Sequence, residues 1–168
     1  DGKPAAATVC PGIPDDSVAN MIVLPYGRPE SLAWIAQNID DIAAVMVEPV
    51  QSRHPAFQPL DFLRELRAIT TRGGTALVLD EIVTGFRCHP GGAQARFGIK
   101  GDLATYGKVV GGGMPIGVLA GSSQFMDALD GGFLRYGDES VPEVAPTFFA
   151  GTFVRHPLVL AAARAVLL

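Results

Sequence analysis

Short apolar runs separated by amphipathic stretches organise the first half of the chain. The runs lie at residues 21–24, 43–47 and 75–79, and each stops at a proline or at acidic residues. All three runs predict strands, and the run at 75–79 lacks polar alternation, which indicates a strand covered on both faces. Strands that alternate with helices predict an α/β fold with a mostly parallel sheet flanked by helices.

The stretches between these runs predict helices. Pro29 can occupy the first turn of one helix, because its missing N–H is not needed there. In the next, Phe62, Leu63, Leu66 and Ile69 share one face, and the pair at 73–74 supplies glycine where a left-handed residue ends the helix. Farther along, we expect a strand at 116–121, helices at 124–129 and 157–168, and a long loop at 131–146.

The length of 168 residues allows one folding unit with a sizeable core. Residues 1–17 are rich in proline and small residues and predict an extended N-terminal segment, whereas residues 18–168 form the folded part. The hydrophobic fraction of 48% excludes a disordered chain, yet no apolar run is long enough to cross a bilayer. No secretory leader is visible, so we expect a cytoplasmic protein with no membrane partner.

Charge and cysteine usage exclude further classes. A net charge of −4 without a basic stripe argues against a nucleic-acid partner. Cys10 and Cys88 are far apart and fit no redox or disulfide pattern, and the three histidines show no ligand spacing. We therefore expect reduced thiols and no metal site.

Carboxylates follow two of the apolar runs at the point where each strand would end. Glu48 follows the second run, and Asp80 and Glu81 follow the third. Ligands of open parallel sheets bind beyond the carboxyl ends of the strands, which makes these residues the first candidates for a site. A carboxylate in this position can also simply cap a helix or face water, so the position alone does not establish a role.

A second candidate is Lys108, which lies in the glycine-rich segment 105–117, TYGKVVGGGMPIG. Glycines allow tight turns and close approach of a bulky group. A nucleotide phosphate loop is a poor alternative, because Lys108 precedes the glycines and no Gly-Lys-Ser/Thr follows them. A flexible loop with a solvated lysine is the other reading, but it leaves the flanking apolar pattern unexplained.

Three segments together carry a family resemblance: 79–87 (LDEIVTGFR), the lysine segment, and 149–153 (FAGTF). In order and spacing they resemble motifs of the class III aminotransferases, which depend on pyridoxal 5'-phosphate and have the fold-type I architecture. Segment 89–95 (HPGGAQA) is similar to the glutamate-1-semialdehyde aminomutase-like group. Segments 48–53 (EPVQSR) and 152–157 (TFVRHP) most resemble aminotransferase modules of hybrid polyketide and nonribosomal peptide synthetases.

The resemblance implies roles for four residues. Asp80 would pair with the protonated ring nitrogen of pyridoxal phosphate, and Ile82 would pack against one face of the ring. Lys108 would hold the cofactor covalently and move a proton between the substrate α-carbon and the cofactor. Thr152 would bind the cofactor phosphate of the neighbouring subunit, which implies a homodimer.

The same resemblance implies a partial large domain for residues 18–168. The family's phosphate-binding turn, its ring-stacking aromatic residue and its C-terminal small domain have no counterpart in the chain, so we expect the 168 residues alone to be a poor catalyst. The implied partners are an amino acid donor and a keto substrate, specifically a β-ketoacyl thioester on an acyl carrier protein. The alternatives are an aminomutase, a catalytically inactive interaction module, and a decarboxylase or racemase of the same fold.

Overall fold

The computed structural model describes residues 4–129, 131 and 137–168. Four strands form one sheet in the order β1-β2-β3-β4: β1 is Ala44–Val47, β2 Ala76–Asp80, β3 Leu103–Tyr106 and β4 Val118–Gly121. The first three are parallel to one another, whereas β4 runs antiparallel to β3. The prediction of a mostly parallel sheet within an α/β fold is therefore confirmed.

The helices lie between and after these strands. They are α1 (Pro29–Gln37), α2 (Leu60–Gly73), α3 (Gly92–Phe97), α4 (Ser123–Met126) and α5 (Pro157–Leu167). Proline begins α1 and α5 at the first turn, as the sequence predicts. Helix α2 buries Leu63, Leu66 and Ile69 and is closed by Gly74 in the left-handed conformation, which confirms the predicted face and the predicted end.

The core lies between β2 and the helices α1 and α2. Leu77 and Leu79 of β2 are fully buried and pack in one cluster with Ile35, Leu66 and Ile69. Leu77 and Leu79 are covered by the helices, whereas Val78, which alternates with them along β2, is half-buried. Over the described residues, no helix is long and apolar enough to cross a membrane.

Asp102 connects the core helix to the sheet just before β3. Its Oδ2 accepts hydrogen bonds of 2.8 Å from the guanidinium of Arg67 on α2 and from the backbone N–H of Leu77. Its own N–H donates to the carbonyl oxygen of Leu77. These contacts fix the register of β3 against β2, and therefore the position at which β3 ends beside Asp80.

The strand expected at residues 21–24 is wrong. Residues 21–25 have no strand hydrogen bonding, and Met21, Ile22 and Val23 are exposed. An apolar run forms a strand only where a neighbouring strand completes its hydrogen bonds, and the described residues supply none here. Of the loop expected at 131–146, residues 132–136 lie outside the described part, and the described residues contain no helix or strand.

The N-terminal segment differs from the expectation at its end. Residues 4–14 contain no helix or strand, but Asp15–Val18 forms a 3-10 turn across the expected boundary at residue 17. Ser17 N donates to the carbonyl oxygen of Pro14 to begin this turn. Acidic residues at a helical start, here Asp15 and Asp16, favour such a turn.

Candidate active site at the carboxyl ends of the parallel strands

The carboxyl ends of β1, β2 and β3 bring the predicted site residues to one edge of the sheet. Val47 pairs with Leu79, so that Glu48 and Asp80 occupy neighbouring positions at this edge. Asp80 in turn pairs with Thr105 of β3, and Lys108 follows Thr105 by three positions. The parallel register therefore brings to one edge of the sheet candidate residues as distant in sequence as Glu48 and Lys108, which are 60 positions apart.

The Asp80 carboxylate is held by one of its two oxygens. Oδ1 accepts hydrogen bonds from the backbone N–H of Ile82 at 3.0 Å and from the hydroxyl of Thr105 at 3.3 Å. Oδ2 receives no hydrogen bond from the described residues. The side chain is thus oriented and half-buried, with one oxygen left to accept a further donor.

Lys108 begins a 3-10 turn, Lys108–Gly111, directly after β3 and the linking Gly107. Its φ of 45° lies in the left-handed region, which non-glycine residues seldom adopt and which persists only where the surroundings impose it. Helix α5 packs against this turn. Lys108 is exposed, and its amine has no ion-pair or hydrogen-bond partner among the described residues.

Ile82 lies beside the lysine turn. A Cβ placed on Gly107 would come within 3.5 Å of Cγ2 of Ile82, which puts this apolar side chain next to the residue that precedes Lys108. Thr152 has a different setting. It is exposed in the segment between β4 and α5, and its hydroxyl has no hydrogen-bond partner among the described residues. The structure therefore brings together Asp80, Ile82 and the turn that begins at Lys108, and among the described residues no hydrogen bond joins Thr152 to this group.

The two other strand-end carboxylates have structural surroundings. Oε1 of Glu48 accepts the backbone N–H of Ser52 at 2.9 Å and so closes the turn that follows β1. Glu81 is fully buried and accepts backbone N–H groups from α3. The helix-capping alternative considered for strand-end carboxylates therefore describes Glu81, whereas Glu48 and Asp80 each accept a local backbone N–H in the turn that follows their strand.

Tyr106 and Gln94 also lie near the candidate site, although the sequence did not predict them as site residues. Gln94 Nε2 donates to the Tyr106 hydroxyl at 2.9 Å, and the Tyr106 ring packs on Phe86. Burial, followed by the nearby Glu81 carboxylate, raises the pKa of Tyr106, while the hydrogen bond from Gln94 opposes this shift. The available signal was the position of Tyr106, two residues before Lys108.

These features fit the requirements of a pyridoxal phosphate ring. A protonated ring nitrogen needs a fixed carboxylate with a free oxygen, and Asp80 has one. An unpaired amine and an apolar side chain lie beside it, in Lys108 and Ile82. Over the described ranges, no group of three or more His, Cys, Asp or Glu residues is arranged to hold a metal ion.

Comparison with known proteins gives the same assignment. The family model "Aminotransferase class-III" matches residues 27–168. A glutamate-1-semialdehyde 2,1-aminomutase of Ignicoccus hospitalis is 39% identical over 99% of this chain and 36% of its own length. The same enzyme of Pyrobaculum calidifontis is 41% identical over 93% of the chain and 33% of its own length.

Solved structures agree in fold. An omega-transaminase from Sphaerobacter thermophilus superposes with a TM-score of 0.81 at 32% identity, covering 99% of this chain and 36% of its own. A structure described as a transaminase with PLP bound gives a TM-score of 0.79 at 28% identity over 97% of this chain and 37% of its own. The chain thus spans about a third of the length of these relatives. From residue 27 to its last residue it belongs to the class III aminotransferase family.

Proposed function

We propose that the protein transfers an amino group from an amino acid donor to a keto substrate with pyridoxal phosphate as cofactor. One observation carries this proposal: Asp80 ends β2, Lys108 lies two residues beyond the end of the adjacent parallel strand β3, and Thr105 of β3 hydrogen-bonds to Asp80. This places a carboxylate with a free oxygen and an unpaired amine at one edge of the sheet.

The residues divide the chemistry among themselves. When bound, pyridoxal phosphate supplies an electron sink for negative charge that develops on the substrate carbon. Asp80 would favour the protonated state of the ring nitrogen through charge pairing, and the hydrogen bond from Thr105 orients its carboxylate. Ile82 would exclude water from one ring face. Lys108 would anchor the cofactor through Nζ and, with its amine free, would carry a proton from the substrate α-carbon to the cofactor.

Thr152 and the dimer complete the proposal. The Thr152 hydroxyl is exposed and without a partner among the described residues, so it is available to a phosphate outside its own site. We assign it to the cofactor phosphate of a neighbouring subunit, which makes a homodimer the active form. Thr152→Val is expected to weaken cofactor binding without changing the dimer, as followed by cofactor titration and sedimentation velocity.

The experiment that tests the central assignment is covalent trapping. The full-length protein is incubated with pyridoxal phosphate, reduced with borohydride and mapped by peptide mass spectrometry. The added mass should lie on Lys108 and vanish in Lys108→Ala, while Lys100→Ala, a matched change at an exposed lysine, keeps it. Label on Lys100 or Lys3 instead contradicts the assignment, and the absence of any label favours a non-catalytic interaction module.

For the keto substrate we propose a β-ketoacyl thioester held on an acyl carrier protein. The support is the resemblance of segments 48–53 and 152–157 to synthetase-embedded aminotransferases. Segment 48–53 also leaves β1 at the edge where Asp80 lies, so changes there alter the approach to the site. Exchange of amino and carbonyl groups within one molecule is the second candidate, since the relatives at 39% and 41% identity are aminomutases.

A further inference from the structure

Glu81, the residue after Asp80, is a fully buried carboxylate with no place in the proposed chemistry. Oε2 accepts the backbone N–H of Ala93 at 2.9 Å, and Oε1 accepts that of Gln94 at 2.8 Å. The hydroxyl of Thr84 donates a third hydrogen bond to Oε2. A buried carboxylate is tolerated only when hydrogen-bond donors replace its lost water. The three donors around Glu81 provide this compensation.

The carboxylate holds the start of α3. The first N–H groups of a helix have no partner within the helix, and the residue before α3, Gly91, supplies no side-chain cap. Glu81 fills that role from 12 and 13 residues away in the sequence. Removing it would leave two buried N–H groups unpaired and free α3 to move.

Close packing ties this arrangement together. A Cβ on Gly92, whose φ is 71°, would lie 2.5 Å from Oε1 of Glu81. A Cβ on Gly85 would lie 2.6 Å from the Tyr106 ring and 2.7 Å from the Glu81 carbonyl oxygen. Glycine at both positions lets the carboxylate, the α3 start and the Tyr106 ring approach one another directly.

Gln94 links this region to the lysine turn. Its backbone N–H donates to Glu81, while its side chain donates to the hydroxyl of Tyr106. Tyr106 ends β3, and only Gly107 separates it from Lys108. A continuous path of hydrogen bonds and one peptide segment therefore runs from the buried carboxylate to the left-handed backbone of Lys108.

We infer that Glu81 is a positioning residue for Lys108: through the start of α3, Gln94 and Tyr106, it holds the left-handed turn from which the lysine reaches the cofactor. Only its bearing on catalysis rests on the proposed function, since the mechanical link exists without any cofactor. The adjacent residues Asp80 and Glu81 then have different roles: Asp80 lies in the candidate site, and Glu81 holds the turn that carries the amine of Lys108.

The test measures amide hydrogen exchange in the full-length, cofactor-free protein, in peptides that cover residues 92–97 and 107–112. Glu81→Gln keeps the size of the side chain but replaces one acceptor oxygen with an amide donor. It should speed exchange in both peptides on the order of tenfold, as loss of a buried acceptor opens a segment locally. Gln94→Ala leaves the backbone N–H groups bound to Glu81, so it should speed exchange only in 107–112.

The matched control is Glu65→Gln, an exposed carboxylate on α2, which should change neither peptide. If Glu81→Gln affects 92–97 alone, Glu81 only caps α3 and the inference is overturned. Should that variant lose its cooperative unfolding, Gln94→Ala decides: unchanged exchange in 107–112 refutes the link. In the cofactor-loaded protein, the pH midpoint of the visible cofactor band should move in Glu81→Gln but not in Glu65→Gln.

The two proposals fail separately. If borohydride trapping labels no lysine while exchange in 107–112 responds to Glu81→Gln and Gln94→Ala, the positioning link stands and the aminotransferase proposal falls. If Lys108 is labelled but hydrogen exchange in 107–112 is unchanged in Glu81→Gln and Gln94→Ala, the aminotransferase proposal stands and the positioning link falls.

Discussion

The hydroxyl of Thr105 donates a 3.3 Å hydrogen bond to Oδ1 of Asp80, between two residues that pair in the parallel register of β2 and β3. Because the backbone N–H of Ile82 also binds Oδ1, both local donors use the same oxygen. The carboxylate is thereby fixed in direction, and its second oxygen accepts no hydrogen bond from the described part of the chain.

Thr105→Val should therefore weaken the binding of pyridoxal phosphate. Valine keeps the branched shape but removes the donor, and a hydrogen bond to a charged group contributes about 1.5–3 kcal/mol, or about tenfold to 100-fold in affinity. The dissociation constant is measured by titrating the full-length protein and following the cofactor band. Thr71→Val, on the exposed side of α2, is the control, and an equal affinity in both variants contradicts the role of Thr105.

Replacing Asp80 separates its charge from its hydrogen bonds. Asp80→Asn can still accept at Oδ1 but cannot stabilise a protonated ring nitrogen, so turnover should fall by about 100-fold or more. Asp80→Ala should lose at least as much, since it also removes the acceptor for Thr105 and Ile82. Steady-state kinetics with Asp61→Asn, a fully exposed carboxylate, provide the comparison. Near-normal turnover in Asp80→Asn refutes the pairing.

Local sequence signals were enough to predict the elements whose pattern depends only on neighbouring residues. The apolar run of β2, the one-sided face of α2 and the glycine at its end follow from side-chain period and backbone freedom alone. Residues 21–24 have the same apolar character but remain outside the sheet, because a strand requires a partner that its own sequence does not specify.

The sequence predicts candidate members of the site but not the contacts between them. Asp80 and Lys108 follow from strand ends and a motif, but their proximity depends on the register of β2 and β3, which involves residues 25 positions apart. Glu81 shows the same limit. Glu81 directly follows β2, yet only the fold shows that α3 returns to cover its carboxylate.

Alkaline pH should destabilise the fold through its tyrosines. Burial, followed by the Glu48 carboxylate, raises the pKa of Tyr26, and Tyr106 is raised for similar reasons. Because the folded pKa lies above the unfolded value of 10.0, the neutral phenols stabilise the fold fully below about pH 10, and this contribution is lost as pH rises through the folded pKa. Urea midpoints of the full-length protein from pH 8 to pH 11 should fall above pH 10.

Tyr26→Phe is the matched variant for this effect. It keeps the ring contacts with Phe57 and Phe62 but loses the 2.8 Å hydrogen bond to the carbonyl oxygen of Pro49. The variant should be less stable at pH 8 and should decline less steeply above pH 10, because one raised phenol is gone. Parallel declines in both proteins mean that lysines or other groups cause the loss.

The choice of keto substrate can be decided by presenting one acyl chain in two forms. If the site serves a carrier, the full-length protein should aminate a β-ketoacyl chain on an acyl carrier protein faster than the same chain as a free small thioester. Docking of the carrier raises the effective concentration of the ketone at the site, so tight recognition of the acyl chain is not needed. Amine formation is followed by mass spectrometry with one amino acid donor at a fixed concentration.

The aminomutase alternative predicts a different substrate requirement for the same site. A substrate that exchanges its own amino and carbonyl groups needs no separate donor, so glutamate-1-semialdehyde should be converted without added amino acid, and the carrier-bound ketone should remain unchanged. Equal rates with carrier-bound and free thioesters reject the carrier but keep transamination. The Lys108→Ala variant must be inactive in every arm, because both reactions require the same amine to anchor the cofactor and move the proton. Activity that survives this change arises from a contaminant or from another site.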